Sequence, residues 1–324
     1  MKLTRTNLGF FSIITLFVSI AYSINKLQGA ISPLFLSMLF GLFVANTIGW
    51  SEAGKTAATF AAKRCLRFGV ILLGFQIAIE KFISVGVRGL VAVAIIVTTV
   101  FTSVRYFAKR AGLTDSLATL IGGGFAICGA TAIAAISSTR KTEERDVSYA
   151  VALVTLCGTL SVFVIPPLAK LLSLSDSTAG AWVGAAVHDV GQVIATASLM
   201  GSTALDSAVI VKLTRIVLLV PLVFFLSTKN PENEKKSLRS ATPTFVLGFI
   251  LCAILVNALP LSPSFVNGGK ELSKIFLSLG LFGMGVGVRW KSIRALGSRP
   301  LLVGLLAWLL CGAFALGVIR AIGL

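Results

Sequence analysis

Polar surface is what this sequence has least of. Charged residues make up 13% of its 324 positions and hydrophobic ones 56%, and the mean hydropathy is +0.94. A soluble domain of this length needs far more polar surface to face water, so that class is excluded. Histidine occurs once, at His188, and the five cysteines (Cys65, Cys128, Cys157, Cys252, Cys311) include no CxxC pair. They read as buried thiols in apolar stretches, with neither a disulfide framework nor a zinc site supported. One histidine beside one aspartate lacks the ligands for any metal. HExxH, P-loop and GxSxG patterns are missing, as is a glycosidase-type carboxylate pair, so neither an enzyme nor a cofactor is expected. Acidic residues are few, 12 against 29 Lys and Arg, giving a formal net charge of +17. The basic residues sit in short clusters between apolar runs, as the positive-inside rule requires and a nucleic-acid interface does not.

What the chain does have is long apolar runs. Eleven can be drawn, at about 8–24, 31–50, 66–82, 87–106, 116–139, 147–172, 179–200, 204–226, 244–260, 270–288 and 299–320. Each is near the ~20 residues needed to span a hydrocarbon core of about 30 Å. Lipid offers the backbone no partners, so such runs form helices or barrel strands, and these are too long and too evenly apolar for strands. The expected fold is all-α: one polytopic domain over 1–324, embedded in the lipid bilayer of the cell inner membrane. Residues 227–243 form a polar loop between bundle halves. Lys2 and Arg5 precede an apolar run with no evident cleavage site, which reads as a retained first helix. With the N-terminus inside, inner loops carry about twice the Lys and Arg of outer loops, placing the C-terminus outside. The loop Ser138–Asp146, with Arg140, Lys141 and Arg145, goes against that bias unless a helix in segment five or seven turns back.

Four features could carry chemistry or symmetry. Leu72–Gly86 resembles Leu281–Gly297, pairing Gly74 with Gly283 and Ile77 with Val286, as an inverted-topology repeat requires. Segment five holds IGGGFAICGATAIAAISS, where each interior glycine costs about 1 kcal/mol relative to alanine. A helix broken there exposes N–H groups that suit an anion, with Gly124, Cys128, Gly129 and Thr131 around the break; close packing through small residues is the other reading. Segment seven holds AWVGAAVHDVGQVIATA, with His188, Asp189 and Gln192 deep in an apolar stretch. Ionisable groups at such depth are expensive and point to function, or else to a hydrogen-bonded cluster that pins helices together. His188 is the candidate for a coupled proton, with Asp189 beside it. Segment eight places Lys212 and Arg215 on one face, either beside a translocating anion or snorkelling to the interface. Asp189 and Asp206 are possible neutralising partners, and Thr131, Ser207 and Thr214 further donors. Pro166, Pro167 and Pro221 imply kinks.

The run GGGFAICGATAIAAISS, then AWVGAAVHDVGQVIATA, then VKLTR resembles the YeiH-type bacterial membrane proteins, a family named for sulfate export; the likeness covers about 30–322. A more distant likeness is to the bile-acid/sodium symporter and NhaA-type transporters, in ICGATAIAAISSTRKTEERDVSYAVALVTLCGTLSVFVIPP and HDVGQV. It implies two broken crossover helices, a core and a panel domain, and elevator-like alternating access. Cys128-Gly129-Ala130 stands where that superfamily often has a proline, and its acidic sodium ligands find no match. The expected function is secondary transport of a small sulfate-, sulfite- or sulfonate-like anion, with H+ or Na+ as coupling ion and a homodimer as assembly. An anion channel with the same basic lining, and more remotely a membrane-embedded enzyme, are the alternatives.

Overall fold

Hydroxyl side chains set many of the helix starts. Ser32, Ser51, Thr114, Ser175 and Ser262 each accept a hydrogen bond from an N–H in the first turn of the helix that follows. Those donors would otherwise be orphaned. Pro33 and Pro263 occupy the first helical position after two of these caps, where a missing N–H costs nothing. The computed structural model describes residues 5–28, 32–76, 79–137, 142–227, 244–289 and 297–323, and among these every element is helical. In order they are α1 (Arg5–Gln28), α2 (Pro33–Phe43), α3 (Glu52–Phe60), α4 (Leu66–Leu73), α5 (Ile79–Arg110), α6 (Asp115–Ala126), α7 (Ala130–Ser137) and α8 (Glu144–Leu171). Then come α9 (Asp176–Ala186), α10 (Val190–Ala197), α11 (Ser202–Val217), α12 (Leu219–Ser227), α13 (Thr244–Ala258), α14 (Pro263–Gly287) and α15 (Ser298–Ile322). A wide π-helical turn at Ala61–Cys65 joins α3 to α4, and Gly86, at φ 49°, bends α5 near its start. Within the described residues all eleven apolar segments are mainly helical, segments five and seven each with a break, at 127–129 and 187–189. Among the described residues, five single stretches are long and apolar enough to cross a membrane: Gly9–Leu27, Gly86–Arg110, Arg145–Leu171, Ser202–Leu226 and Ser298–Ile322.

The chain divides into two compact units. The first is Met1–Ser84 with Thr244–Trp290. Its core gathers Ile14, Val18, Ala57, Ala58, Phe282 and Val286, with Phe17 and Trp50 stacked about the Phe282 ring at 5.5 and 5.6 Å. Within it α14 lies along α2 and α4. A Cβ at Gly41 would stand 2.1 Å from the Phe282 carbonyl oxygen, so the two backbones touch where only hydrogen fits. Residues 77–78 and 290–296 of the repeat noted above, and 228–243 of the polar loop, lie outside the described residues.

The second unit, Val85–Pro243 with Lys291–Leu324, is built around two helical hairpins. After α6 ends, three residues turn and α7 folds back along it. A Cβ at Gly123 would fall 2.0 Å from Ile136 Cδ1, and one at Gly124 would fall 2.9 Å from Ile133 Cδ1. A helix continuing straight on would hold Gly123 and Ile136 about 20 Å apart. Next, α8 runs parallel to α6: the Thr114 hydroxyl donates to Asp146 Oδ2 at 2.8 Å at one end, and Gly124 meets Val154 further along. The second hairpin repeats the plan. Gly180 packs on Ala204 and Gly184 on Ala208, so α9 and α11 are parallel, and α10 has to run back between them. The breaks anticipated in segments five and seven are therefore present, but the chain reverses at each and does not cross over. Since α6 has 12 residues and α9 has 11, about 17 Å each, every tip reaches only about halfway through a hydrocarbon core. Because α8 crosses between them, the hairpins enter from opposite sides.

Candidate functional site

The hairpin tips are Ile127–Cys128–Gly129 and Val187–His188–Asp189, and they meet. Ile127 leaves the helical region at φ −120°, ψ −89°, and Gly129 takes φ 64°, which a side chain would strain. A Cβ at Gly129 would lie 3.5 Å from the Asp189 Cβ and backbone nitrogen. At this junction α6 and α9 present their last carbonyls, carrying partial negative charge, while α7 and α10 present their first N–H groups, carrying partial positive charge.

Lys212 and Arg215 answer the carbonyls. The Lys212 ammonium donates to the Ile127 carbonyl at 2.5 Å and the Val187 carbonyl at 2.7 Å. Arg215 Nε donates to Ala126 at 3.1 Å, Nη1 to Gly184 and Val187 at 3.0 and 3.2 Å, and Nη2 to Phe125 and Ala126 at 2.8 and 2.7 Å. One cation pair thus caps two half-helices at once. Both side chains are buried, at 1% and 0% exposure, so neither snorkels. All five Arg215 N–H groups and two of the three on Lys212 are engaged with backbone, which differs from the expectation that they stand open beside a passing anion. What they supply at the junction is buried positive charge.

The other expected residues separate into groups. Gln192 caps α10 from within: its Oε1 accepts from the Asp189 N–H, and its Nε2 donates to the Thr155 carbonyl at 3.0 Å on α8. Its amide is spent on structure, because it has one carbonyl oxygen to give and an α8 carbonyl to satisfy. The Asp189 carboxylate accepts from the Gly191 N–H at 2.9 Å and is half-buried. His188 is fully buried, its ring 4.2 Å from that of Phe125 by centroids, and both its ring nitrogens lack a hydrogen-bond partner among the described residues. Gly124 lies inside α6, not at the break. It and its two neighbours are the packing seam for α5, α7 and α8, so the glycine triplet keeps the helix and the turn falls three residues later. Cys128 sits buried in the first tip, and Thr131 is half-buried in the first turn of α7. Thr214 donates to the Ile210 carbonyl of its own helix, and Ser207 pairs with Ser177 in an exposed contact. Asp206 lies on α11 nearer its start, half-buried. Among the described residues no cluster of His, Cys, Asp and Glu could hold a metal ion.

Sequence reasoning missed the hairpins' shared start. Leu113-Thr114-Asp115-Ser116 and Leu174-Ser175-Asp176-Ser177 each give an N-cap hydroxyl with an acid in the first helical turn, and each opens a half-helix that ends at a tip. Twelve or so residues from such a cap to a non-helical tripeptide was the available signal.

On α15, Leu302, Leu306 and Leu309 are 60%, 51% and 58% exposed, a face suited to acyl chains and not to water. All helix, with apolar outer faces and half-membrane hairpins, this is a multi-pass integral membrane protein. The chain belongs to the family described as Conserved hypothetical protein 698, which it matches over residues 7–304. Its relatives are UPF0324 membrane proteins: one from Corynebacterium glutamicum is 31% identical over 88% of this chain and 84% of its own length. Another, from Wolinella succinogenes, is 35% identical over 86% and 85%. The UPF0324 inner membrane protein YeiH of Salmonella typhimurium is 30% identical over 89% and 86%, in agreement with the resemblance noted above and with an inner-membrane location. Among solved structures, the sodium proton antiporter MjNhaP1 from Methanocaldococcus jannaschii is matched over 97% of this chain and 98% of that one. There the identity is 15% and the TM-score 0.31.

Proposed function

We propose that this protein is a secondary transporter of a small anion, sulfate-, sulfite- or sulfonate-like, working by alternating access. The observation that carries the reading is the pair of fully buried cations, Lys212 and Arg215, set between two hairpin tips that reach the junction from opposite sides. With Asp189 as the carboxylate at the tips, the junction holds more positive than negative side-chain charge. The first turn of α7, at Ala130 and Thr131, adds N–H groups on a partly accessible face. A small oxyanion suits both. Each hairpin governs entry from its own side, so opening them in turn would expose the site alternately without a continuous pore. His188 is the candidate for proton coupling, since a proton held there would add to the positive charge and strengthen anion binding, by linkage in both directions.

The test is thermal unfolding of the purified protein in uncharged detergent with sulfate, sulfite, a small sulfonate, chloride and sodium gluconate, followed by uptake into liposomes. An anion at about 100 times its Kd stabilises by about 2.7 kcal/mol, a shift of several degrees. Stabilisation by one oxyanion and saturable uptake of the same anion are the expected results. Stabilisation by sodium alone, or by none of the salts, would sink the reading, and unitary currents would replace it with a channel.

A further inference from the structure

We propose that the first unit holds an anionic phospholipid of the inner leaflet in the cleft between α3–α4, α13 and α14. This inference is independent of the transport reading. The cleft has a volume of about 510 Å³ and is walled by Phe60, Phe68, Phe245 and Phe276, with Arg64 and Arg67 at its edge. The Phe68 and Phe276 rings meet edge to face at 4.8 Å, and the Arg67 guanidinium lies 6.0 Å from the centre of the Phe245 ring. Arg64 and Arg67 are three residues apart where the π-helical turn Ala61–Cys65 passes into α4, so both reach the same cleft. Both are exposed, and among the described residues neither is ion-paired with a carboxylate.

The chemistry selects the occupant. Inside a bilayer an open cleft with aromatic walls fills with an acyl chain, not with water. Two guanidiniums at its rim, neither held by a carboxylate among the described residues, offer planar, bidentate donor pairs to a phosphodiester. The cluster Lys55, Lys63, Arg64 and Arg67 belongs to the inner face by the positive-inside rule, the level at which an inner-leaflet headgroup sits. A lipid whose only charge is the phosphate fits better than a zwitterion, because the choline of a zwitterionic lipid would meet the same two cations.

Native mass spectrometry of the full chain tests this, with phosphatidylglycerol, phosphatidylcholine of identical acyl chains, and inorganic phosphate titrated separately. The expected result is lipid adducts with phosphatidylglycerol at about tenfold lower concentration than with phosphatidylcholine. Arg64→Gln with Arg67→Gln should reduce that preference to within about twofold, each single change giving an intermediate loss. Phe68→Ala, which keeps both charges, should weaken binding of both lipids. Lys109→Gln with Arg110→Gln, the same charge loss elsewhere, should leave the preference intact. The proposal is overturned if the arginine variants keep the preference, or if the Lys109 and Arg110 variant loses it equally. Binding of inorganic phosphate as tight as that of phosphatidylglycerol would also overturn it, leaving a site for a free anion.

Discussion

At the scale of single residues, the central fact is that Lys212 and Arg215 do two jobs with one charge each. Buried carbonyls at the ends of α6 and α9 have no water to turn to, and an unsatisfied one costs about 1–3 kcal/mol. Arg215 makes five hydrogen bonds to the carbonyls of Phe125, Ala126, Gly184 and Val187. Lysine there has three donors and no fork, so Arg215→Lys loses at least two of these five bonds and both paired contacts, to Phe125 with Ala126 and to Gly184 with Val187. We expect a loss of about 2–4 kcal/mol, read as a lower thermal unfolding midpoint, with charge retained. Lys212→Met removes a charge as well as two bonds, and should abolish anion-dependent stabilisation in addition to lowering stability. A variant with stabilisation by anions unchanged would show that the charge serves the fold alone. For His188 the readout is the pH profile of uptake: His188→Gln should flatten it, and an unchanged profile reduces the residue to a packing partner of Phe125.

At the scale of elements, the hairpins depend on close approach. Gly158 on α8 faces Gln192 so closely that an added Cβ would stand 1.7 Å from its Oε1. Gly158→Ala must swing the amide away, which breaks the bonds to the Asp189 N–H and the Thr155 carbonyl together. At Gly180 the obstacle is backbone, the Ala204 carbonyl oxygen at 2.1 Å, which cannot rotate aside. Gly180→Ala therefore has to separate α9 from α11. We expect it to cost about 1–3 kcal/mol, with Gly158→Ala costing less in stability but changing transport, because a side chain can yield where a helix cannot. Paired unfolding and uptake measurements on the two variants check the order. The α11–α12 break belongs to the same scale. Pro221 offers no N–H to the carbonyl four residues back, at Val217, where α11 ends.

For the whole molecule, the hairpins change the topology. If segments five and seven turn back, nine crossings replace eleven, and the N-terminus inside with the C-terminus outside is kept. The ion pair of Arg105 with Asp115, at 2.8 Å, holds the end of α5 to the start of α6, and Thr114 ties that start to α8. Arg145, in the first turn of α8, therefore returns to the side of Arg105, Lys109 and Arg110. The loop that opposed the positive-inside bias joins it instead, and Lys170 moves to the other side. Single cysteines introduced at Thr142 and Ser173 in a cysteine-free background should label from the cytoplasmic and the periplasmic side respectively. Labelling of Thr142→Cys from outside intact cells would restore the crossover arrangement.

The sequence alone determined the class: long uniform apolar runs, basic clusters between them and deep ionisable residues mean a helical membrane protein, because lipid leaves the backbone no other solution. It also singled out residues that the fold brings together, since Gly129, His188, Asp189, Lys212 and Arg215 all stand at the hairpin junction. Capping hydroxyls and half-length segments were legible there too, in the two Leu-[Thr/Ser]-Asp-Ser starts. Only the tertiary structure decided that the broken segments fold back, that Gly122–Gly124 pack and do not break, and that Gln192 is bound to α8. It also decided where the cations point. Sequence spacing places Lys212 and Arg215 on one face, but which polar groups need them depends on where two distant chain reversals leave their carbonyls, and that is a property of packing across more than 80 residues.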